Sequence, residues 1–347
     1  MYSQIGGAQG RRCGRQSPGC LLARRSFAVV SGCSCDQVQL AARARIKHWI
    51  DTVNTKPDCQ FDILFDDAEP SVFQDAAYEP YGNFGLPAAP PDRPWIYTNF
   101  VQSLDGITTL LGKHASGGEI SQSSEDRWLM DLLRAHADGL LMGMNTLLEE
   151  RRLRGPENRG IVFRVADPRL RQLREKLGKR RERNIFVTRA IDLDLSQLKV
   201  FDGDEVDAAI LTSPTGAERL RSKGTHSHVL IVAAGAGEVF DLAAAIRKLR
   251  TELAIEYLLC EGGPTLYGGL ARADLVDEKF LTVSPVEVGQ LVPPEQERLP
   301  KEVGVHQLLR PTIFGGPGFT RENITHWRWI SCRKVGDHQF SRYRRER

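Results

Sequence analysis

The sequence predicts an α/β fold, with a mostly parallel mixed sheet, helices on both faces and a C-terminal antiparallel hairpin. Three observations carry this. From Pro94 onward, short apolar runs of strand length alternate with longer amphipathic stretches. The runs are continuously apolar, as in strands buried on both faces. Near the C-terminus, two strand-like segments flank Lys334-Val335-Gly336-Asp337, a tight-turn signal.

The elements follow in order. Trp95–Val101 (WIYTNFV) is β-branched and aromatic, and reads as a strand. Ser123–Ala137 places Trp128, Leu129, Leu132, Leu133 and Ala137 on one helical face, with serines and acids to cap its start. Gly139–Gly143, Asn184–Thr188, Ala208–Leu211, Val229–Val232 and Glu256–Cys260 are short buried-strand candidates. Val239–Leu253 carries Phe240, Leu242, Ile246, Leu249 and Leu253 at helical spacing. Thr325–Arg333 and Gln339–Tyr343 form the terminal hairpin.

Composition bounds the function. The 347 residues allow one large domain or two ordinary ones, and 41% hydrophobic content can bury a sizeable core. A net charge of +3, from 47 basic and 44 acidic residues, gives no global field for wrapping nucleic acid. No run of 18 apolar residues is present to span a membrane. Seven scattered cysteines suit neither a disulfide scaffold nor a metal centre, so a reduced, cytoplasmic protein without a bound metal is expected. Residues 1–47 hold eight Arg/Lys and one acid, whereas residues 51–90 hold one Lys and eight acids before a Pro-rich stretch. That shift predicts a boundary, with a partly disordered N-terminal extension over 1–92 and the main domain over 93–345. Arg24-Arg25 ahead of Cys33 mimics an export signal, but too few apolar residues separate them for a signal core of about 7–15. A short helix is predicted within Val38–Val53.

Three segments carry chemistry. Ser103-Leu104-Asp105-Gly106 follows the first strand, where open α/β sheets bind ligands, although Asp-Gly also makes ordinary turns. From Arg134 to Glu150, a helix delivers the chain into the strand ending at Gly143. Asn145 or Thr146 can then cap a second helix whose N-terminal N–H groups favour an anion. There Thr146 reads equally as a cap alone, and Arg134 as a solvated helix charge. Glu261-Gly262-Gly263-Pro264-Thr265-Leu266 leaves a strand for a helix; its glycines permit close approach to a phosphate, and Pro264 suits a first helical turn. It is neither a Walker loop nor a G-x-G-x-x-G fingerprint.

Taken in order, SLDG, LLRAHADGLLMGMNT and YLLCEGGPTLYGGLARADLVDEKFLTVSP resemble the reductase domain of bacterial riboflavin biosynthesis, the C-terminal half of the deaminase–reductase enzyme. The resemblance covers about residues 93–345 and is weak between 150 and 255. It implies a dihydrofolate-reductase-like fold, a homodimer, and NADPH-dependent reduction of 5-amino-6-(5-phosphoribosylamino)uracil at C1′. It also implies site roles. Arg134 would hold the substrate phosphate, Glu261 the substrate's polar head, and Asp105 would relay a proton. Val101, Thr146 and Glu150 would touch the cofactor, while Gly262, Gly263, Pro264, Thr265 and Leu266 would cradle its pyrophosphate. Arg189 is a candidate for the 2′-phosphate. Two stretches depart from the family pattern: Leu148–Gly155, which lacks Asp-Asp-Pro, and Ser116-Gly117-Gly118-Glu119-Ile120, where a serine and a tryptophan are usual. No H-x-E paired with P-C-x-x-C occurs, so the zinc deaminase half is absent. The departures leave open a reductase of the same fold acting on another small heteroaromatic or carbonyl substrate. A non-catalytic binding module fits the intact E-G-G-P loop less well.

Overall fold

The computed structural model describes residues 60–109, 117–154, 158–189, 194–289 and 312–347. The basic arm, the export-signal mimic, the helix predicted within Val38–Val53, and Ser116 lie outside them. In chain order the elements are β1 (Asp62–Asp66), β2 (Trp95–Gln102), α1 (Gly117–Ser121), α2 (Ser124–His136), β3 (Gly139–Gly143), α3 (Met144–Arg154), α4 (Pro168–Lys176), β4 (Arg183–Val187), β5 (Asp207–Thr212), α5 (Pro214–Ser222), β6 (Leu230–Ala233), the ribbon β7 (Gly235–Ala236) and β8 (Val239–Phe240), α6 (Leu242–Leu253), β9 (Tyr257–Cys260), α7 (Pro264–Arg272), β10 (Glu278–Val283), β11 (Trp327–Val335) and β12 (His338–Arg345).

Ten strands form one sheet in the order β1-β11-β12-β10-β2-β9-β3-β4-β5-β6. From β10 to β6 the neighbours are parallel; β12, β11 and β1 add antiparallel partners at the other end. Side-chain alternation sorts each strand between two cores. Leu140, Met142 and Leu259 face α2 and α4 with Trp128, Leu132, Leu133, Leu170 and Leu173. Leu141, Leu258 and Cys260 face α6 and α7 with Ile246, Leu249, Leu266 and Leu270. Each such buried side chain stabilises by about 1.5–3 kcal/mol relative to exposure.

The predicted strands and hairpin are present, and α2 starts where Ser123 Oγ accepts from Asp126 N at 3.1 Å. The helix predicted from Val239 begins instead at Leu242. Val239–Phe240 pairs with Gly235–Ala236, and the Asp241 carboxylate caps the helix through Ala244 N at 2.9 Å.

The boundary expected at 92/93 does not fall there. The described residues belong to one compact unit, and Phe61, Tyr78, Tyr81 and Phe84 are buried in the core beside Trp128, Phe280 and Phe340. Phe61 meets Phe340 edge-on at 4.9 Å. Tyr78 Oη lies 3.0 Å from His136 Nε2, and burial pushes the His136 imidazole down to about 3, so it is neutral in the folded protein. The acidic composition of this stretch marks side chains that remain outside, while its aromatic residues point in.

Candidate active site

The C-terminal ends of β2, β9 and β3 meet at one edge, where open parallel sheets bind ligands. Two helices begin there. Gly143 ends β3 and leads into α3; Gly263 precedes Pro264 at the start of α7. Gly143 N donates to Gly262 O at 3.0 Å, and Glu261 N donates to Leu141 O at 3.2 Å, so the two turns are laced together. Gly262 has φ +107°, a conformation that side-chain-bearing residues rarely adopt. A Cβ on Gly263 would lie 3.4 Å from Thr146 Oγ1. Gly263 offers no side-chain cap to α7, and the backbone of Gly315 packs beside that helix start, its N–H donating to Pro264 O at 2.9 Å. This cradle brings together Thr146, Gly262, Gly263, Pro264 and Thr265. Leu266 is present through its backbone only, because its side chain is buried in the α6/α7 core.

The wall against α2 is built differently. Glu261 follows Tyr257 and Leu259 at alternating positions, so it faces α2. On α2, Arg127, Asp131 and Arg134 recur at i, i+4 and i+7, one face of a helix. Arg134 is 4% exposed. Its Nε and one terminal nitrogen donate to the two Glu261 oxygens at 2.6 and 2.7 Å, and its other terminal nitrogen donates to Arg164 O at 3.1 Å. Burial works against the guanidinium charge, but the Glu261 carboxylate outweighs it and holds the Arg134 pKa above its ordinary value. Asp131 is buried, which raises its pKa; one oxygen accepts from Ala166 N and Asp167 N at 2.8 and 3.0 Å. Burial lowers the Arg127 pKa; Arg134 adds to this, while Asp131, Glu261 and Glu150 oppose it, which places all five charges in one neighbourhood.

Arg134 and Glu261 are thus brought together, but each faces the other. A phosphate reaching Arg134 bidentately would have to displace Glu261. The alternative of a solvated helix charge is excluded by the burial of Arg134. Val101 lies near the end of β2 against α1, where a Cβ on Gly117 would come within 3.6 Å of it. Thr146 and Glu150 are one turn apart on α3. Asp105 is exposed on the far side of the β2 turn. It accepts from Ser103 Oγ at 2.6 Å, Val288 N at 3.2 Å and Gly289 N at 2.9 Å. The Ser103 hydroxyl first, then these N–H groups, hold its carboxyl below the usual range. Arg189 is exposed just after β4.

Arg127 and Asp131 escape a reading for apolar periodicity because they share a helix with a strong apolar stripe. Their signal was the charge spacing itself. Among the described residues, no helix is long and apolar enough to cross a membrane, and no cluster of three or more His, Cys, Asp or Glu is arranged to hold a metal.

Fold and edge define an α/β domain in which two helices start at the C-terminal edge of a parallel sheet, beside a buried charged wall. The profile of the RibD C-terminal domain matches residues 94–338, and the chain belongs to that family. Riboflavin biosynthesis protein RibD of Aquifex aeolicus is 27% identical over 202 residues, 57% of this chain and 48% of that protein. The chain therefore matches about half the length of that relative. The 2,5-diamino-6-ribosylamino-4(3H)-pyrimidinone 5′-phosphate reductase of Archaeoglobus fulgidus is 26% identical over 199 residues, 57% of this chain and 83% of that one. A pyrimidine reductase-like protein from Corynebacterium diphtheriae superposes with a TM-score of 0.52 at 21% identity, covering 74% of this chain and 93% of that one, which shows a shared fold.

Proposed function

We propose that the chain is an NADPH-dependent reductase of a phosphorylated ribosylaminopyrimidine, acting as a homodimer in the cytoplasm. The observation that carries this is the glycine-bounded junction of α3 and α7 beside the buried Arg134–Glu261 wall. The junction fits a dinucleotide pyrophosphate: Gly143, Gly262 and Gly263 leave the approach free of side chains, and two helix starts supply N–H groups and positive dipole ends. Bound there, the nicotinamide supplies a hydride to the C1′ carbon of the opened ribosylamine.

The chain's own residues bind and orient. Thr146 and the N–H groups following Gly263 hold the cofactor phosphates. Val101 packs beside the ring at the end of β2. Arg134 fixes the Glu261 carboxylate, which meets the polar sugar of the substrate as an acceptor whose position is set before binding. Asp105 ties the 103–107 turn to the 286–289 loop and keeps the site's rim in register.

The test is NADPH oxidation with 5-amino-6-(5-phosphoribosylamino)uracil and with its 2-amino counterpart, 2,5-diamino-6-ribosylamino-4(3H)-pyrimidinone 5′-phosphate. Turnover of either supports the reading. Absence of turnover with both, in a folded protein that binds NADPH, removes the pyrimidine substrate.

A further inference from the structure

By its own sequence α7, one of the two helices that start at the junction, is weak. Gly263 gives it no side-chain cap, and Gly268 and Gly269 stand inside its nine residues, PTLYGGLAR. An uncapped first turn is where a helix frays. The N–H groups of that same turn are the ones the junction offers to a phosphate. The order of this turn must therefore come from outside the helix.

The segment Phe314-Gly315-Gly316-Pro317 supplies it. Gly315 N donates to Pro264 O at 2.9 Å, at the first helical residue. The two backbones then approach to a distance that only glycine tolerates. A Cβ on Gly268 would collide with Gly315 O, and one on Gly315 would lie 2.8 Å from Thr265 N. Gly268 thus weakens the helix and at the same time admits the segment. Arg272 ends the helix and folds back over it: one terminal nitrogen donates to Gly315 O at 3.1 Å and to Pro317 O at 2.9 Å. Gly316, between those two carbonyls, holds φ +86°, a turn that glycine favours. The Arg272 guanidinium also lies over the Phe314 ring, 5.5 Å from its centre, and Phe314 meets Tyr267 of α7 edge-on at 5.9 Å. The segment is therefore fastened to α7 from its first residue to its last.

We propose that this segment is a strap that sets the first turn of α7 for the cofactor's phosphates, with Arg272 as its latch and a positioning residue for dinucleotide binding. This rests on the reading of the junction as the dinucleotide site. Arg272 stands about 12 Å along the helix axis from Pro264, at 1.5 Å per residue, so it acts through the strap and not as a member of the cradle. The latch is a charged donor shared by two carbonyls, which is stronger than a neutral hydrogen bond. With the strap fastened, the N–H groups after Gly263 are aligned before the phosphate arrives, and binding does not have to order them. The coupling is reciprocal: a fastened strap favours bound cofactor, and bound cofactor favours a fastened strap.

The experiment uses the full chain, a fluorescence titration of NADPH, and hydrogen exchange of the 312–319 amides with and without NADPH. Arg272→Met keeps an apolar stem over Phe314 and removes the donors. Its NADPH dissociation constant is expected to rise about fivefold, the net worth of one hydrogen bond. Arg272→Lys keeps a donor and is expected to fall between Arg272→Met and the wild type. Gly316→Ala attacks the latch from the other side, because its Cβ would be strained at positive φ and would lie 3.0 Å from an Arg272 nitrogen. It is expected to weaken NADPH binding as Arg272→Met does. In the wild type NADPH is expected to slow exchange across 312–319, and in Arg272→Met to slow it less. Unchanged dissociation constants in folded Arg272→Met and Gly316→Ala overturn the proposal. So does tighter binding, which would make the strap a competitor of the phosphate, or a lysine variant no better than methionine. Exchange across 312–319 that is indifferent to NADPH overturns it as well. Should Arg272→Met fail to fold, Gly316→Ala and the wild-type exchange decide. Failure of the cofactor reading looks different: the wild-type chain itself does not bind NADPH, and both readings fall.

Discussion

Arg134 and Arg333 are both buried guanidiniums, but they serve different parts of the chain. Arg134 spends two nitrogens on the carboxylate of Glu261, a residue at the mouth of the site. Arg333, 1% exposed, donates to the carbonyls of Tyr81 and Asn83 and to Asp66, all within residues 60–92. Arg342 repeats that pattern: it pairs with buried Glu278 and also donates to Gly85 O at 2.7 Å. One arrangement fixes a side chain at the end of a parallel strand in a buried setting; the other fastens an N-terminal segment onto the C-terminal hairpin. The lesson is that burial of charge does not by itself mark a site. What marks the Arg134 cluster is its position at the C-terminal edge of parallel strands, beside two helix starts.

The largest effect is expected where the fastening is removed. A chain beginning at Asp92 loses Phe61, Tyr78, Tyr81 and Phe84 and leaves Arg333 with only Ser331 Oγ of its acceptors. Loss of one large buried aromatic costs about 3–5 kcal/mol, so four exceed much of a domain's net stability of about 5–15 kcal/mol. Urea unfolding followed by circular dichroism should show no cooperative transition. An unchanged midpoint would mean that the segment is dispensable.

A smaller loss is expected from Arg134→Gln. Removing one partner of a buried ion pair costs about 3–5 kcal/mol because the other charge is stranded. The variant should unfold at lower urea and lose kcat/KM with the pyrimidine substrate. Equal stability with only a raised KM would favour direct phosphate binding by Arg134.

His136 sharpens the contrast through pH. Its folded pKa of about 3 lies below the ordinary 6.5, so its contribution is fully present above pH 6.5 and is lost as pH falls toward 3. Between pH 7 and pH 5 that amounts to about 2 kcal/mol. A His136→Gln variant should lose about that much less stability than the parent over the same interval. Parallel pH profiles for the two proteins would show that His136 is not buried neutral.

Much of this was legible in the chain. Strands buried on both faces read as short apolar runs, and E-G-G-P after β9 marked the start of α7 because helix-start chemistry is local. The pairing of Arg134 with Glu261 was not legible. The two residues are 127 positions apart, and only the β3–β9 register with α2 packed above it brings them together. Residues 60–92 misled for a similar reason: their acids dominate composition, while Phe61, Tyr81 and Phe84 are spaced without a helical or strand period.

Binding of the dinucleotide at the junction of α3 and α7 is tested most directly by a fluorescence titration of NADPH. The wild-type chain is expected to bind NADPH and to quench its nicotinamide emission or shift it. In Gly263→Val the side chain would press against Thr146 Oγ1 and obstruct the pyrophosphate, and the dissociation constant should rise at least tenfold, about 1.4 kcal/mol. A folded Gly263→Val protein with an unchanged dissociation constant would contradict the assignment.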